Sequence, residues 1–215
     1  MADPKSLPAL DGPVMEHDEL AWELFWHKHK VSIIGGVAAV VLALVAGISW
    51  TVANTQADLA AKKMLADATD ASAWEAVIAK YPKSMSAADA YFQLAAAQRA
   101  DGKIEDSTAT FRKFLASFAE HPLAGGALFG VGQNLDSEGK SAEAVAIYQE
   151  VVAKFPQSYA APFAAYSESE ILLRDDKREE ARAALELIVA QFPKSNVSRL
   201  AQSQLQRLAS APGAR

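Results

Sequence analysis

One spacing constrains this chain more than any other property. Turn signals at Gly102-Lys103, Gly139-Lys140 and Asp176-Lys177 stand 37 residues apart, and the residues around them keep step. Five positions past the first residue of each turn come Ser107, Ala144 and Ala181, all small. Nine past it come the large Phe111, Tyr148 and Leu185, and twelve past it the apolar Phe114, Val151 and Ile188. Seven positions before each turn stand Ala95, Gly132 and Ser169, again small. Each unit closes on a proline, Pro122, Pro156 or Pro193, the first after three extra residues in FAEH. Small residues before the turn let two helices approach, and the bulky residue after it fills the facing groove. Proline then ends the second helix, because it cannot continue an α-helix interior. The period predicts stacked helix–turn–helix units, since no unit of this kind buries its apolar face alone.

Composition supports helix throughout. Hydrophobic residues make up 51%, with alanine prominent and β-branched runs confined to one segment, and alanine gives up no side-chain entropy in a helix. An earlier unit shows in AWEAVIAKYPKS, where Trp74, Val77 and Pro82 take the large, apolar and proline places. Its first helix, around QADLAAKKMLADA, fits the pattern poorly and is a candidate to continue from the apolar run before it. SNVSRLAQSQLQRLA reads as a lone capping helix with Leu200 and Leu208 facing inward, and 210–215 as a frayed tail.

Spacing and residue classes resemble tetratricopeptide repeats (TPRs) over roughly residues 55–209. The second repeat fits best, through Leu128, Gly132, Gly139, Ala144, Tyr148 and Pro156. The third departs at Asp176, where the turn glycine is missing, and at Glu168, where an apolar residue is expected, so its edge is expected to be irregular. The fold class is therefore all-α. A single transmembrane helix precedes a TPR-like solenoid at 54–209, of about three and a half repeats plus a capping helix.

Residues 31–53, VSIIGGVAAVVLALVAGISWTVA, carry no charge. A helix of that length covers about 35 Å, enough to cross a hydrocarbon core with some tilt. Trp26 and Trp50 lie near its ends, where indoles settle at the lipid–water boundary. A cleavable signal peptide has a shorter apolar core, so an uncleaved signal anchor is the better reading. Lys28 and Lys30 abut the N-terminal side, while Lys62 and Lys63 lie farther from the other end. That bias places the N-terminus in the cytoplasm and the repeats in the periplasm of an inner membrane. Before the span, residues 1–17 read as a disordered cytoplasmic tail. Residues 18–30, with Leu20, Trp22, Leu24, Phe25 and Trp26, read as an amphipathic interfacial segment or a docking motif for a membrane partner.

Other chemistry finds little support. With 21 Lys+Arg against 26 Asp+Glu the net charge is −5, which supplies no basic field for nucleic acid. There is no cysteine, which excludes disulfides, thiolate metal sites and a cysteine nucleophile. The glycines of GGALFGVG fall inside a helical repeat rather than between a strand and a helix, so a phosphate loop is not indicated. His27 and His29 are two apart, a poor chelating pair on a helix, and His121 is expected in an exposed loop. Paired carboxylates at Glu105-Asp106, Asp175-Asp176 and Glu179-Glu180 sit in turns or first helical turns, where the helix dipole favours them. No catalytic triad, metal site or cofactor is indicated, and the chain is not expected to be an enzyme.

The expected function is protein binding in a groove lined by the first helices. By register its candidate residues are Tyr91, Gln98, Phe129, Gln133, Tyr166 and Glu170, though the aromatic ones could instead pack between repeats. A short cytoplasmic tail, one anchor and a small repeat domain together resemble the YfgM-type family of ancillary Sec translocon subunits, which share a TPR domain class with the cell-division coordinator CpoB. The resemblance implies an adaptor that binds the translocon and hands exported proteins to periplasmic chaperones. Two alternatives stay open: an envelope-assembly or cell-division scaffold with another client, and a cytoplasm-facing regulator of inverted topology. Regulators of that last kind carry a Cys-rich metal module that this chain lacks. Oligomeric state is not legible.

Overall fold

A computed structural model describes residues 16–210, with side chains from residue 22 onward, and every regular element among them is an α-helix. Of the tail expected at 1–17, residues 1–15 lie outside the described residues and Glu16 and His17 open the first helix; of the frayed end expected at 210–215, residues 211–215 lie outside them and Ser210 closes the last helix. Two compact units divide between Thr55 and Gln56.

Helix α1 (Glu16–Asp67) has 52 residues, about 78 Å at 1.5 Å per residue. It runs without interruption through positions 30 and 53, and on into QADLAAKKMLAD. Its apolar stretch is long and hydrophobic enough to cross a membrane, and none of that window is buried by the chain. Val37 and Leu42 are exposed at 59% and 69%, the opposite of a core helix. Two threonine hydroxyls toward the C-terminal end of this stretch bond locally. Thr51 Oγ1 donates to the Ile48 carbonyl at 2.8 Å and Thr55 Oγ1 to the Thr51 carbonyl at 2.8 Å, the local bonds that a threonine makes to the preceding helical turn.

The second unit is built from α2 (Ala71–Lys80), α3 (Met85–Ala100), α4 (Ile104–Ser117), α5 (Ala124–Ser137), α6 (Ser141–Lys154), α7 (Ala160–Arg174), α8 (Arg178–Gln191) and α9 (Asn196–Ser210). Helices α3–α4, α5–α6 and α7–α8 are three hairpins, preceded by the lone second helix α2 and followed by α9. Each helix packs on the next in sequence. In addition the first helices meet, α5 touching α7 and α7 touching α9, while successive second helices make no comparable contact. From α5 onward the stack is closed along its first helices and parted along its second ones.

The three turns share one geometry. Gly102 and Gly139 have φ of +74° and +75°, and Asp176 has φ of +60°. In each, two bonds close the first helix: Gly102 N to Arg99 O and Lys103 N to Gln98 O, Gly139 N to Asp136 O and Lys140 N to Leu135 O, and Asp176 N to Leu173 O and Lys177 N to Leu172 O. This is the paired Schellman pattern that satisfies carbonyls at a helix end. The irregular edge expected at Asp176 is therefore absent. Aspartate tolerates the left-handed region better than most side chains, and here it replaces glycine without changing the turn.

A small residue faces a large one inside the α5–α6 hairpin and again between the α4 and α5 helices of neighbouring hairpins. A Cβ built on Gly132 would stand 2.5 Å from Tyr148 Cε1, and one on Gly130 would stand 2.5 Å from Phe111 Cε2. Tyr148, Val151, Leu185, Ile188 and Phe114 are at most 1% exposed. Buried apolar residues form two clusters that meet at α7, one running from α3 to α7 and the other from α7 to α9.

Two expectations are corrected. His121 is half-buried, not in an exposed loop: its ring lies edge-on to Phe114 at 5.7 Å, and its Nδ1 accepts the Leu123 N–H at 3.1 Å. The FAEH insertion turns it inward against the aromatic cluster. Leu200 is 52% exposed, and the inner face of α9 is formed by Val197 and Ala201 with Leu205 and Leu208 beside them. The helical period places Leu200 three past Val197 but one short of Ala201, on the flank of the buried stripe.

Candidate functional site

The residues singled out for packing divide by burial. Ala95, Phe111, Gly132, Ala144, Tyr148, Ser169, Ala181 and Leu185 are buried, whereas Pro156 and Pro193 are exposed. The prolines follow half-buried aromatic residues that end the second helices, Phe155 and Phe192, whose N–H groups bond to Val151 O and Ile188 O. The serine two residues past each of these prolines then accepts from an N–H in the first turn of the next first helix. Ser158 Oγ accepts from Ala160 N at 3.2 Å and Ser195 Oγ from Val197 N at 3.2 Å. The recurrence of Pro-x-Ser was the available signal for these bonds.

The groove candidates do not form one row. Tyr91 packs edge-on against Phe114 and Phe118 of the α4 end, at 6.1 and 6.2 Å. Gln98 Oε1 accepts a 2.7 Å bond from Thr110 of α4. Both therefore turn toward the second helix. Adding the 37-residue period shows why: they share register with Leu128 and Leu135, which are buried. Phe129 and Tyr166 are one period apart and half-buried, and so is Gln133, while its partner one period on, Glu170, is exposed. Phe129 also leans on Tyr148, with ring centroids 5.6 Å apart.

Sequence reasoning missed the outward apolar members of this face. Phe163 on α7 and Leu200 on α9 are again one period apart and 46% and 52% exposed, with Tyr159 at 60% exposure beside the start of α7. The period pairs Phe163 with Leu200, but Gly126 holds that place in α5 and breaks the pattern. At the other end of the first helices lies a polar chain. Arg99 donates to Asn134 Oδ1 at 2.9 Å and Ser137 Oγ at 3.1 Å, and buried Asn134 donates to Ser107 Oγ at 3.0 Å. Arg174 pairs with Asp136 and also donates to Ser141 Oγ. Burial, then the Asp136 carboxylate, push the Tyr148 phenol up to about 12. The same two causes hold the Glu170 carboxyl above its usual range. The first-helix face thus offers aromatic and aliphatic contacts at one end and fixed polar groups at the other. Such a face suits an extended or helical polypeptide segment.

The second-helix side is different. Between α6 and α8, with α7 as floor, lies an open cleft of about 440 Å³. Val152, Ala153, Ala165, Leu172, Ala183 and Leu187 make its walls, and Gln149, Glu168 and Glu180 supply its polar groups. Gln149 Nε2 donates to Glu168 Oε1 at 2.7 Å. Burial raises the pKa of Glu168, and Glu180 adds to the rise against the opposing effect of Gln149. The corresponding cleft between α4 and α6 is rich in both signs of charge, including Lys113, Lys140, Glu105 and Glu143.

Two segments of the chain, 89–121 and 127–158, match the tetratricopeptide repeat family model. Among solved structures, a tetratricopeptide repeat protein from Parabacteroides merdae superposes with a TM-score of 0.50 at 16% identity, over 65% of this chain and 52% of that one. This chain thus spans about half the length of the Parabacteroides protein. A putative kinesin light chain from Podosopora anserina, with nearly identical TPR-like repeats, superposes with a TM-score of 0.52 at 19% identity, over 75% of this chain and 87% of that one. A point-substituted form of the Podosopora protein gives the same figures. No curated protein matches the chain. The fold is all-helical and TPR-like, a repeat architecture suited to protein–protein interaction.

Proposed function

We propose that this chain is a membrane-anchored adaptor whose first-helix face binds polypeptide partners. In this reading 31–53 of α1 is an inner-membrane anchor, the N-terminus is cytoplasmic and the repeats stand in the periplasm. The adaptor serves as an ancillary subunit of the Sec translocon and passes emerging proteins to periplasmic chaperones. One observation carries the binding role: Phe129 with Tyr166, Gln133 with Glu170, and Phe163 with Leu200 recur one 37-residue period apart on successive first helices. Repetition of partly exposed aromatic and polar groups along one face gives a segment several equivalent footholds. The uncovered apolar stretch of α1 supports the anchor, and the lysines beside it support the orientation.

Photocrosslinking in intact membranes tests this reading, with the reactive group placed at Tyr166. Translocon subunits, exported proteins or a periplasmic chaperone are the expected adducts. Cell-wall enzymes alone would make the chain a different envelope scaffold, and cytoplasmic proteins alone would invert its topology.

A further inference from the structure

We propose that the cleft between α6 and α8 is a second binding site, on the side opposite the first-helix face, which takes a lysine side chain from a partner polypeptide. This goes beyond the adaptor reading and does not depend on it. Its starting point is a residue out of register. Leu94 and Val131 hold the equivalent place in the two preceding first helices, and both are buried. One period later the place belongs to Glu168, half-buried in the floor of a cleft with aliphatic walls. A carboxylate drawn out of water needs compensation. Gln149 is a neutral donor to one of its oxygens, and the cleft lining contains no cation. Glu180 at the α8 side adds a second negative charge.

Charge complementarity therefore calls for a cation, and the walls say which one. Val152, Ala153, Ala165, Ala183, Ala184 and Leu187 present only methyl and methylene groups. A lysine stem lies well against such walls while its ammonium reaches the carboxylate. Arginine gains most from an aromatic face to stack on or a carboxylate free for two parallel bonds. The lining has no aromatic residue, and Gln149 already occupies one Glu168 oxygen. A polypeptide source fits the size of the site, because a cleft of about 440 Å³ holds the lysine and the aliphatic residues beside it. The cleft exists because α6 and α8 each pack on α7 and make no comparable contact with each other.

The test uses the full chain in lipid nanodiscs and a fluorescent twelve-residue helical peptide with one central lysine flanked by leucines. Saturable binding is expected, weakened roughly tenfold or more when the lysine is Nε-acetylated, and weakened also by arginine in its place. Glu168→Gln is expected to lose the same roughly tenfold, while Glu75→Gln, at an exposed carboxylate of α2 outside the cleft, leaves binding unchanged. Glu168→Leu restores the apolar register, so it is expected to raise the melting temperature while abolishing lysine-dependent binding. The proposal is overturned by equal binding of the acetylated peptide, by undiminished binding to Glu168→Gln, or by no saturable binding to the unaltered chain. It also falls if both Glu168 variants melt below the parent, which would make Glu168 a packing residue. Failure of the Tyr166 crosslinks would leave these outcomes untouched.

Discussion

Asp176 and Glu168 occupy places where the repeat asks for something else, and they bear opposite consequences. Asp176 sits at φ of +60° in a turn built for glycine. A side chain there costs about 1 kcal/mol, and its exposed pair with Arg178 at 3.1 Å returns little. Asp176→Gly is therefore expected to raise stability by roughly 0.5–1 kcal/mol in chemical denaturation, less whatever entropy the freer unfolded chain regains. A loss of stability would mean that the aspartate does more than turn the chain. Glu168 behaves differently because burial holds its carboxyl above the usual range. The folded chain then binds that proton more tightly than the unfolded one. Its favourable contribution is complete below the ordinary glutamate value near ~4.3 and is lost as pH rises through the folded value. Glu168→Gln should melt above the parent by most at neutral pH, with the gap closing as the pH is lowered toward about 4. A gap that does not vary with pH would contradict this. Gly132 tests packing in a third way. Its missing Cβ leaves room for Tyr148, which is only 1% exposed and has nowhere to move. Helix propensity favours replacing glycine by up to about 1 kcal/mol, yet Gly132→Leu is expected to destabilise by roughly 1–3 kcal/mol net, because overpacking wins. Unchanged melting would remove that role.

Helices were legible wherever a residue type is forced by its place. Small Ala95 and Gly132, bulky Tyr148 and Leu185, and the turn residues could all be read from a single period, because packing and left-handed backbone allow few side chains. What escaped was decided by direction rather than by type. Tyr91 and Gln98 are polar or aromatic residues on a first helix, but a rotation of one position turns them onto α4. Phe163 was passed over and Leu200 was placed inward because apolar residues default to the core. The polar node of Arg99, Asn134 and Ser107 joins residues from three helices and leaves no local trace in sequence. Helix α9 shows how an end is managed: Val197 and Ala201 close the cluster around Leu185 and Ile188, while Arg199, Gln202 and Gln206 stay in water. Truncation after Ser195 would expose that cluster. The shortened chain is expected to lose cooperative melting in its last hairpin and to associate on sizing columns. Monomeric behaviour with unchanged melting would show that α9 is not a cap.

At the scale of the whole molecule, an apolar helix and a TPR-like repeat unit lie on one chain, and the proposed arrangement puts the membrane between the N-terminus and the repeats. A reporter active only in the periplasm, fused after Arg215, is expected to be active. Activity solely from a reporter that needs the cytoplasm would reverse the orientation and with it the class of partner. From α5 onward, contact along the first helices and separation along the second ones sort the surface into a shared side and a divided side. On the shared side, neighbouring repeats touch, so a change in one is felt by the next. On the divided side each cleft is a compartment, and α6 borders two of them with different residues: Lys140 and Glu143 toward α4, Gln149, Val152 and Ala153 toward α8. Substitutions in one compartment should be nearly additive with those in the other. Over evolutionary time such a stack could keep its common face conserved while it rewrote one pocket at a time, as a keyboard keeps its frame when single keys are exchanged.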